Sequence, residues 1–309
     1  MPVSPAVVSR LALVNAVANG LIVVTGGAVR LTGSGLGCPT WPRCTTDSFV
    51  ATPELAGHGV IEFGNRTLTG LLAVVAVATL VAVWRSSRRD LRPLALLTFL
   101  GIPAQALLGG ITVLTELNPW TVAAHFLLSM VLVALSTVLW LRSREPGVGQ
   151  PLARRPVPLL IGGIAAVTGA VLVLGTIVTG SGPHSGDVDE NAVPTGDRMR
   201  FDPENVSQLH ADLVFLLLGL TVALLVALAA TGAPHRLRRA ARDLLVVQLA
   251  QGVVGFVQYF TGLPIAVVLL HMLGAALITV AVARLVWSVR GPASELPLDS
   301  PAPQAAATR

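Results

Sequence analysis

QALLGGITVLTELNPWTVAAH (residues 105–125) and QGVVGFVQYFTGLPIAVVLLH (residues 251–271) each open on a glutamine and close on a histidine twenty residues later. Gly109 and Gly255 are also in register, and the offset between the two stretches is 146. A second pair agrees to within one residue, since TGSG at Thr32–Gly35 recurs at Thr179–Gly182 with an offset of 147. The second half of the chain therefore repeats the first. Histidine is costly to place in hydrocarbon, and neutral imidazole is a good ligand for iron, so histidines at matching places in apolar segments point to a metal or haem site.

The composition fixes the setting. With 309 residues, 53% hydrophobic and 12% charged, at a mean hydropathy of +0.74, the chain is too apolar for a soluble domain of its size. Eight stretches reach the roughly 20 helical residues that cross a hydrocarbon core. They fall near 9–30, 59–84, 93–115, 119–142, 157–180, 204–231, 241–261 and 264–289. Strict alternation of apolar and polar residues is absent, so helices are expected rather than a barrel. The expected fold is an all-α integral membrane protein with two pseudo-symmetric four-helix bundles. Residues 1–150 form the first half, 151–290 the second, and 291–309 a disordered cytoplasmic tail rich in Pro, Ala and Ser.

All 21 basic residues are arginine. They gather in alternate connections: Arg85, Arg88, Arg89 and Arg92 after helix two, Arg142, Arg144, Arg154 and Arg155 after helix four, Arg236, Arg238, Arg239 and Arg242 after helix six. The intervening connections hold acids, including Asp187, Asp189, Glu190, Asp197, Asp202 and Glu204. This distribution is a topology signal of a multi-pass protein in a bacterial-type cell membrane, not a nucleic-acid surface. It predicts both termini on the cytoplasmic side and loops 31–58 and 181–203 outside. The first apolar segment lacks a small-residue cleavage site and is long enough to span, so it reads as the first helix and not as a signal peptide.

The two cysteines, Cys38 and Cys44, lie in GLGCPTWPRC in the first outside loop. On an oxidising face they can close a small-loop disulfide; a metal pair would need further ligands at the usual spacing, which the neighbourhood lacks.

Four positions near the outer ends of the even helices line up across the repeat: Asn65, His125, His210 and His271. Each is expected about six residues inside its helix, roughly 9 Å below the outer boundary. His210 and His271 can bind a haem iron from both sides. The first half has Glu62 where the second has Ser207, and Asn65 where the second has His210. Glu62 and Asn65 share a helix face. A carboxylate there can act as a base or stabilise positive charge on a substrate. Arg66 can pair with Glu62 or with a haem propionate. His58 can reach the same face from further out, whereas His184 and His235 read as surface residues.

The run GGAVRLTGSGLGCPTWPRC (26–44), IEFGNR (61–66), and the histidines in AAHFLLSM, VSQLHADLVF and VVLLHMLGAA together resemble the haem A synthase family, over about residues 9 to 289. The resemblance implies an enzyme that oxidises a methyl group of haem O to the formyl group of haem A for cytochrome oxidase. It implies haem b as cofactor, held by His210 and His271, and haem O as substrate near Glu62 and His125, with Asn65 and Arg66 in its pocket. It matches Cys38 and Cys44 to the family's outside cysteine pair. A haem O synthase and an electron donor are the implied partners, beside lipid and a second copy of the chain. Family members commonly carry Glu-x-x-His-Arg, and this chain reads EFGNR. Either His125 alone holds the substrate haem, the preferred reading, or His58 supplies a second ligand. A di-haem electron-transfer cytochrome and a duplicated transporter are the competing readings; neither gives a role to the asymmetry at Glu62 and Asn65.

Overall fold

The computed structural model describes residues 3–145, 150–151, 156–182 and 199–291. His184, Arg154, Arg155, the acids at 187–197 and the tail beyond Gly291 lie outside the described residues. Eight helices long and apolar enough to cross a membrane follow one another: α1 (Pro5–Leu31), α2 (Ala56–Trp84), α3 (Arg92–Leu114), α4 (Pro119–Ser143), α5 (Val157–Ser181), α6 (Pro203–Ala230), α7 (His235–Phe260) and α8 (Ile265–Ser288). The chain is a multi-pass membrane protein.

Local chemistry sets the ends of these helices. Proline stands in the first turn of α1, α3, α4, α5 and α6, where its missing N–H has no helical partner to lose. Ser4, Asn118 and Asp202 cap α1, α4 and α6 by accepting from main-chain N–H groups of the first turn. Gly33, Gly232 and Gly262 end α1, α6 and α7 at φ of 65°, 62° and 74°, left-handed backbone that glycine adopts without a Cβ penalty.

Three expected starts shift, that of α1 by four residues, to Pro5 from the expected 9. α7 starts at His235, six residues before the expected 241, because its arginine-rich first turns are helical although they are not apolar. Hydropathy marks the hydrocarbon part of a helix and not its hydrated end. Arg236, Arg238, Arg239 and Arg242 thus lie within α7 rather than in a connection. α2 likewise begins at Ala56, about one turn further out than expected, preceded by a short 3-10 turn at Pro53–Leu55.

Helices α1–α4 pack as one ring of neighbours, and α5–α8 as another. The rings meet where α4 and α1 lie against α8, and α4 against α5. At this seam Val23, Met130 and Val133 pack with Leu172, Met272 and Val280. Gly27 of α1 gives Met272 its seat, since any side chain there would run into the thioether. Just past the end of α4, Glu145 accepts from Arg236 and, at 2.9 Å, from the Trp287 indole, which fastens the first ring to α7 and α8. A two-residue antiparallel pairing of Gln150–Pro151 with Arg290–Gly291 lies nearby in sequence. The outward faces are apolar and exposed, as at Leu21, Leu71, Val226 and Phe260, the surface that lipid covers.

Candidate functional site

Each ring has a floor. In the first, Leu72, Ala76, Ile102 and Leu132 form a buried layer against Ala18 and Ile22. In the second, Ile164, Leu217, Leu224 and Leu244 are buried with Ile278 packed on them. The four aligned positions stand seven residues above this floor on every even helix: Asn65 over Leu72, His125 over Leu132, His210 over Leu217, His271 over Ile278. Seven residues are two turns, about 10.5 Å of helix. His125, His210 and His271 lie six or seven residues inside α4, α6 and α8, close to the depth expected, and Asn65 lies nine inside the lengthened α2.

Each histidine faces a glycine on the preceding odd helix. A Cβ on Gly109 would stand 3.1 Å from His125 Cε1, and one on Gly175 or Gly255 would stand 3.4 Å from Cε1 of His210 or His271. The glycines let the rings lie close along the neighbouring helix. The repeated glutamines complete the support, because Gln105 donates to the His125 carbonyl at 3.1 Å and Gln251 to the His271 carbonyl at 2.9 Å. Gln105 also donates to Ser129. Gly274 makes room for the Gln251 amide. The spacing seen in the sequence is therefore a cross-helix hydrogen bond from the glutamine to the turn that carries the histidine.

Among the described residues, the Nδ1 atoms of these three histidines are buried without a hydrogen-bond partner. Buried polar atoms are ordinarily satisfied. Three imidazoles with unpartnered Nδ1 atoms, each six or seven residues inside an even helix, fit a site for a metal-centred group that the chain itself does not supply.

Asn65 is bound differently. Its Oδ1 accepts from Thr25 Oγ1 of α1 at 2.8 Å, and Gly26 lies beside its amide nitrogen.

Over the first ring lies the loop that joins α1 to α2. Cys38 and Cys44 form a disulfide. Trp41 rests on Gly110 of α3, and the Gly37 backbone rests on that of His58. Glu62 is 5% exposed. Its Oε2 accepts from Cys38 N at 2.6 Å, and its Oε1 pairs with Arg66 at 2.5 Å. Arg66 also donates to the carbonyls of Cys38, Thr40 and Arg43, all at 3.1 Å. The guanidinium is thus occupied by the loop and by Glu62, the first of the two pairings expected for it. His58 is exposed, with Nδ1 3.0 Å from Ser34 Oγ. His235 opens α7, where it lines a basic hollow with Arg236, Arg239 and Arg284.

Sequence reading passed over three contributors. Thr25 is an ordinary membrane-helix residue until its partner is known, and Gly175 had no repeat partner to flag it. Arg30, inside the quoted motif, donates to the Thr179 carbonyl of α5 at 3.3 Å, while its Nε is buried without a partner. An arginine one residue from the outer end of an apolar helix was the signal available.

A profile of the COX15-CtaA family, described as cytochrome oxidase assembly protein, matches residues 9–283. The chain is 34% identical over 122 residues to the heme A synthase of Listeria welshimeri, covering 38% of this chain and 40% of that one. It is 36% identical over 116 residues to the heme A synthase of Bacillus pumilus, covering 36% and 37%. For the heme A synthase of Bacillus cereus the values are 35% over 115 residues, 36% of each chain. The matched part spans about two-fifths of the length of these curated relatives.

Proposed function

Because the chain belongs to this family of cytochrome oxidase assembly proteins, we propose that it acts as a haem A synthase, oxidising a methyl group of haem O to the formyl group of haem A. The observation that carries the reading is the row of three orphaned imidazoles and one asparagine above an apolar floor, equal in framework and unequal in chemistry.

In this reading residues 151–290 hold haem b between His210 and His271, and residues 1–150 take haem O at His125. Haem b, when bound, supplies one-electron transfer. The chain's own residues do the rest. Gly175 and Gly255 give the axial rings room, and Gln251 fixes the turn that carries His271. Gly109 and Gln105 do the same for His125. The leucine floors keep water away from the inner side of each ring system. Glu62, charge-paired with Arg66 and tied to the Cys38 N–H, keeps lone pairs free on Oε1 and Oε2 to take a proton lost from the substrate's methyl carbon or to offset positive charge there. Arg66 serves the substrate pocket by holding Glu62 and the disulfide loop. The arginines at the inner ends of α2, α4 and α7 favour cytoplasmic termini, with the cysteine loop outside. Haem O then arrives from a haem O synthase in the same membrane, and an electron donor serves haem b.

Pigment extraction from the purified protein tests the reading. A b-type haem in the protein as isolated, and a formyl haem appearing when haem O is supplied, are expected. An unchanged haem b with haem O present would leave the electron-transfer cytochrome, and a protein without a Soret band would leave the transporter.

A further inference from the structure

The repeat is broken twice at one place. Where the second ring has His210 on α6, the first has Asn65 on α2; where α5 has Leu172, α1 has Thr25. The two exceptional residues touch, with Thr25 Oγ1 2.8 Å from Asn65 Oδ1. An isolated loss of a ligand would leave an apolar or idle neighbour. Here the neighbour has become the partner that orients the replacement.

That orientation has a chemical sense. A carboxamide nitrogen has no lone pair to give a metal, and its oxygen is a harder and weaker ligand for iron than imidazole. With Oδ1 taken by Thr25, the amide keeps both N–H donors on Nδ2, which lies beside Gly26. Among the described residues Nδ2 makes no hydrogen bond. The Asn65 carbonyl is held in its own helix, where Thr69 Oγ1 donates to it at 3.1 Å. The side chain lies on the face of α2 that carries Glu62 and Leu72, the face buried in the ring. It is also shorter than an imidazole, so it stops short of the place where the second axial ligand stands in the other ring.

We propose that the substrate haem iron is bound by the protein on one side alone, through His125, and that Asn65 covers the opposite side as a hydrogen-bond donor to a water-sized ligand, with Thr25 as the residue that positions it. This rests on the substrate-haem reading of the first ring and adds a coordination state to it. Polarity and donors on the open side of a haem decide which small ligands bind there and what becomes of them. The second ring has a ligand in that place and excludes them.

Spectroscopy of the full-length protein with haem in both rings tests this without relying on turnover. Ferric electron paramagnetic resonance is expected to show a low-spin signal from the second ring and a separate high-spin signal from the first. Carbon monoxide is expected to bind one of the two reduced haems. Asn65→Leu removes the donor and is expected to shift the bound C–O stretch to higher wavenumber. Thr25→Val is expected to broaden that band by freeing the amide. Asn65→His is expected to abolish carbon monoxide binding and turn the high-spin signal low-spin. Two low-spin haems in the unaltered protein, or a C–O stretch unmoved by Asn65→Leu, would overturn the inference while leaving the first ring a haem site. A protein that takes up only one haem when haem O is supplied would overturn the substrate-haem reading as well.

Discussion

The outer mouth of the second ring is symmetric, with His210 and His271 facing Gly175 and Gly255 at one separation. The outer mouth of the first keeps the same floor and the same glutamine support, but around it stand a histidine, an asparagine oriented by Thr25, and a carboxylate tied to a disulfide loop. In the function proposed above, the matching framework holds a large flat group in either ring, and the diverging ligand sets decide whether the group stays or is changed.

The sharpest way to break this comparison is to empty one ring at a time. His271→Ala is expected to remove nearly all b-type haem while the first ring still takes haem O, and His125→Ala to do the reverse; haem analysis of each variant checks it. Loss of both haems in either variant would show that the rings do not bind independently. Glu62→Gln comes next. Haem content is expected to stay near normal while haem A formation falls by about 10²–10⁴-fold, the usual worth of a positioned acid or base, as read by chromatography of extracted haem. Normal conversion would take Glu62 out of the chemistry.

Smaller effects sharpen the comparison within the framework. Gly109→Ala, with its Cβ 3.1 Å from the His125 ring, is expected to weaken haem retention more than Gly255→Ala, with 3.4 Å at His271. Titration of the apoprotein with haem reads the difference, and equal effects would argue against close packing of the rings on these glycines. Least of all, Gln251→Leu removes one interhelical hydrogen bond and Gln105→Leu two, each a cost of about 1 kcal/mol or less in a membrane bundle. A shift of a few degrees in the thermal midpoint is expected, with the haem spectrum kept.

Much of this was legible in the chain because membrane helices make polar residues conspicuous. Gln105, His125, Gln251 and His271 stand out against leucine and valine, and their equal spacing exposes both the repeat and the depth of the site. The helix spans were readable for the same reason, except at the starts of α1, α2 and α7; α7 runs on into arginines that hydropathy does not mark. Glu62 was readable as a partner of Arg66 from their spacing of four, but the other partners were not. They are main-chain oxygens of a loop whose path depends on the disulfide, on Trp41 and on Gly110, and no local pattern encodes them. Thr25 was hidden by being common, since threonine usually bonds its own helix and here also serves another.

The clamp of Arg66 on the outer loop has an evolutionary consequence. It grips the peptide carbonyls of Cys38, Thr40 and Arg43 rather than their side chains. The grip therefore does not depend on which side chains stand at positions 40 and 43; those brace the loop itself, Thr40 Oγ1 donating to the Arg43 carbonyl at 2.9 Å and Arg43 to the Thr46 carbonyl at 3.0 Å. A substitution at either place alters the loop's own bracing and leaves the hold on the carboxylate beneath it to the main chain.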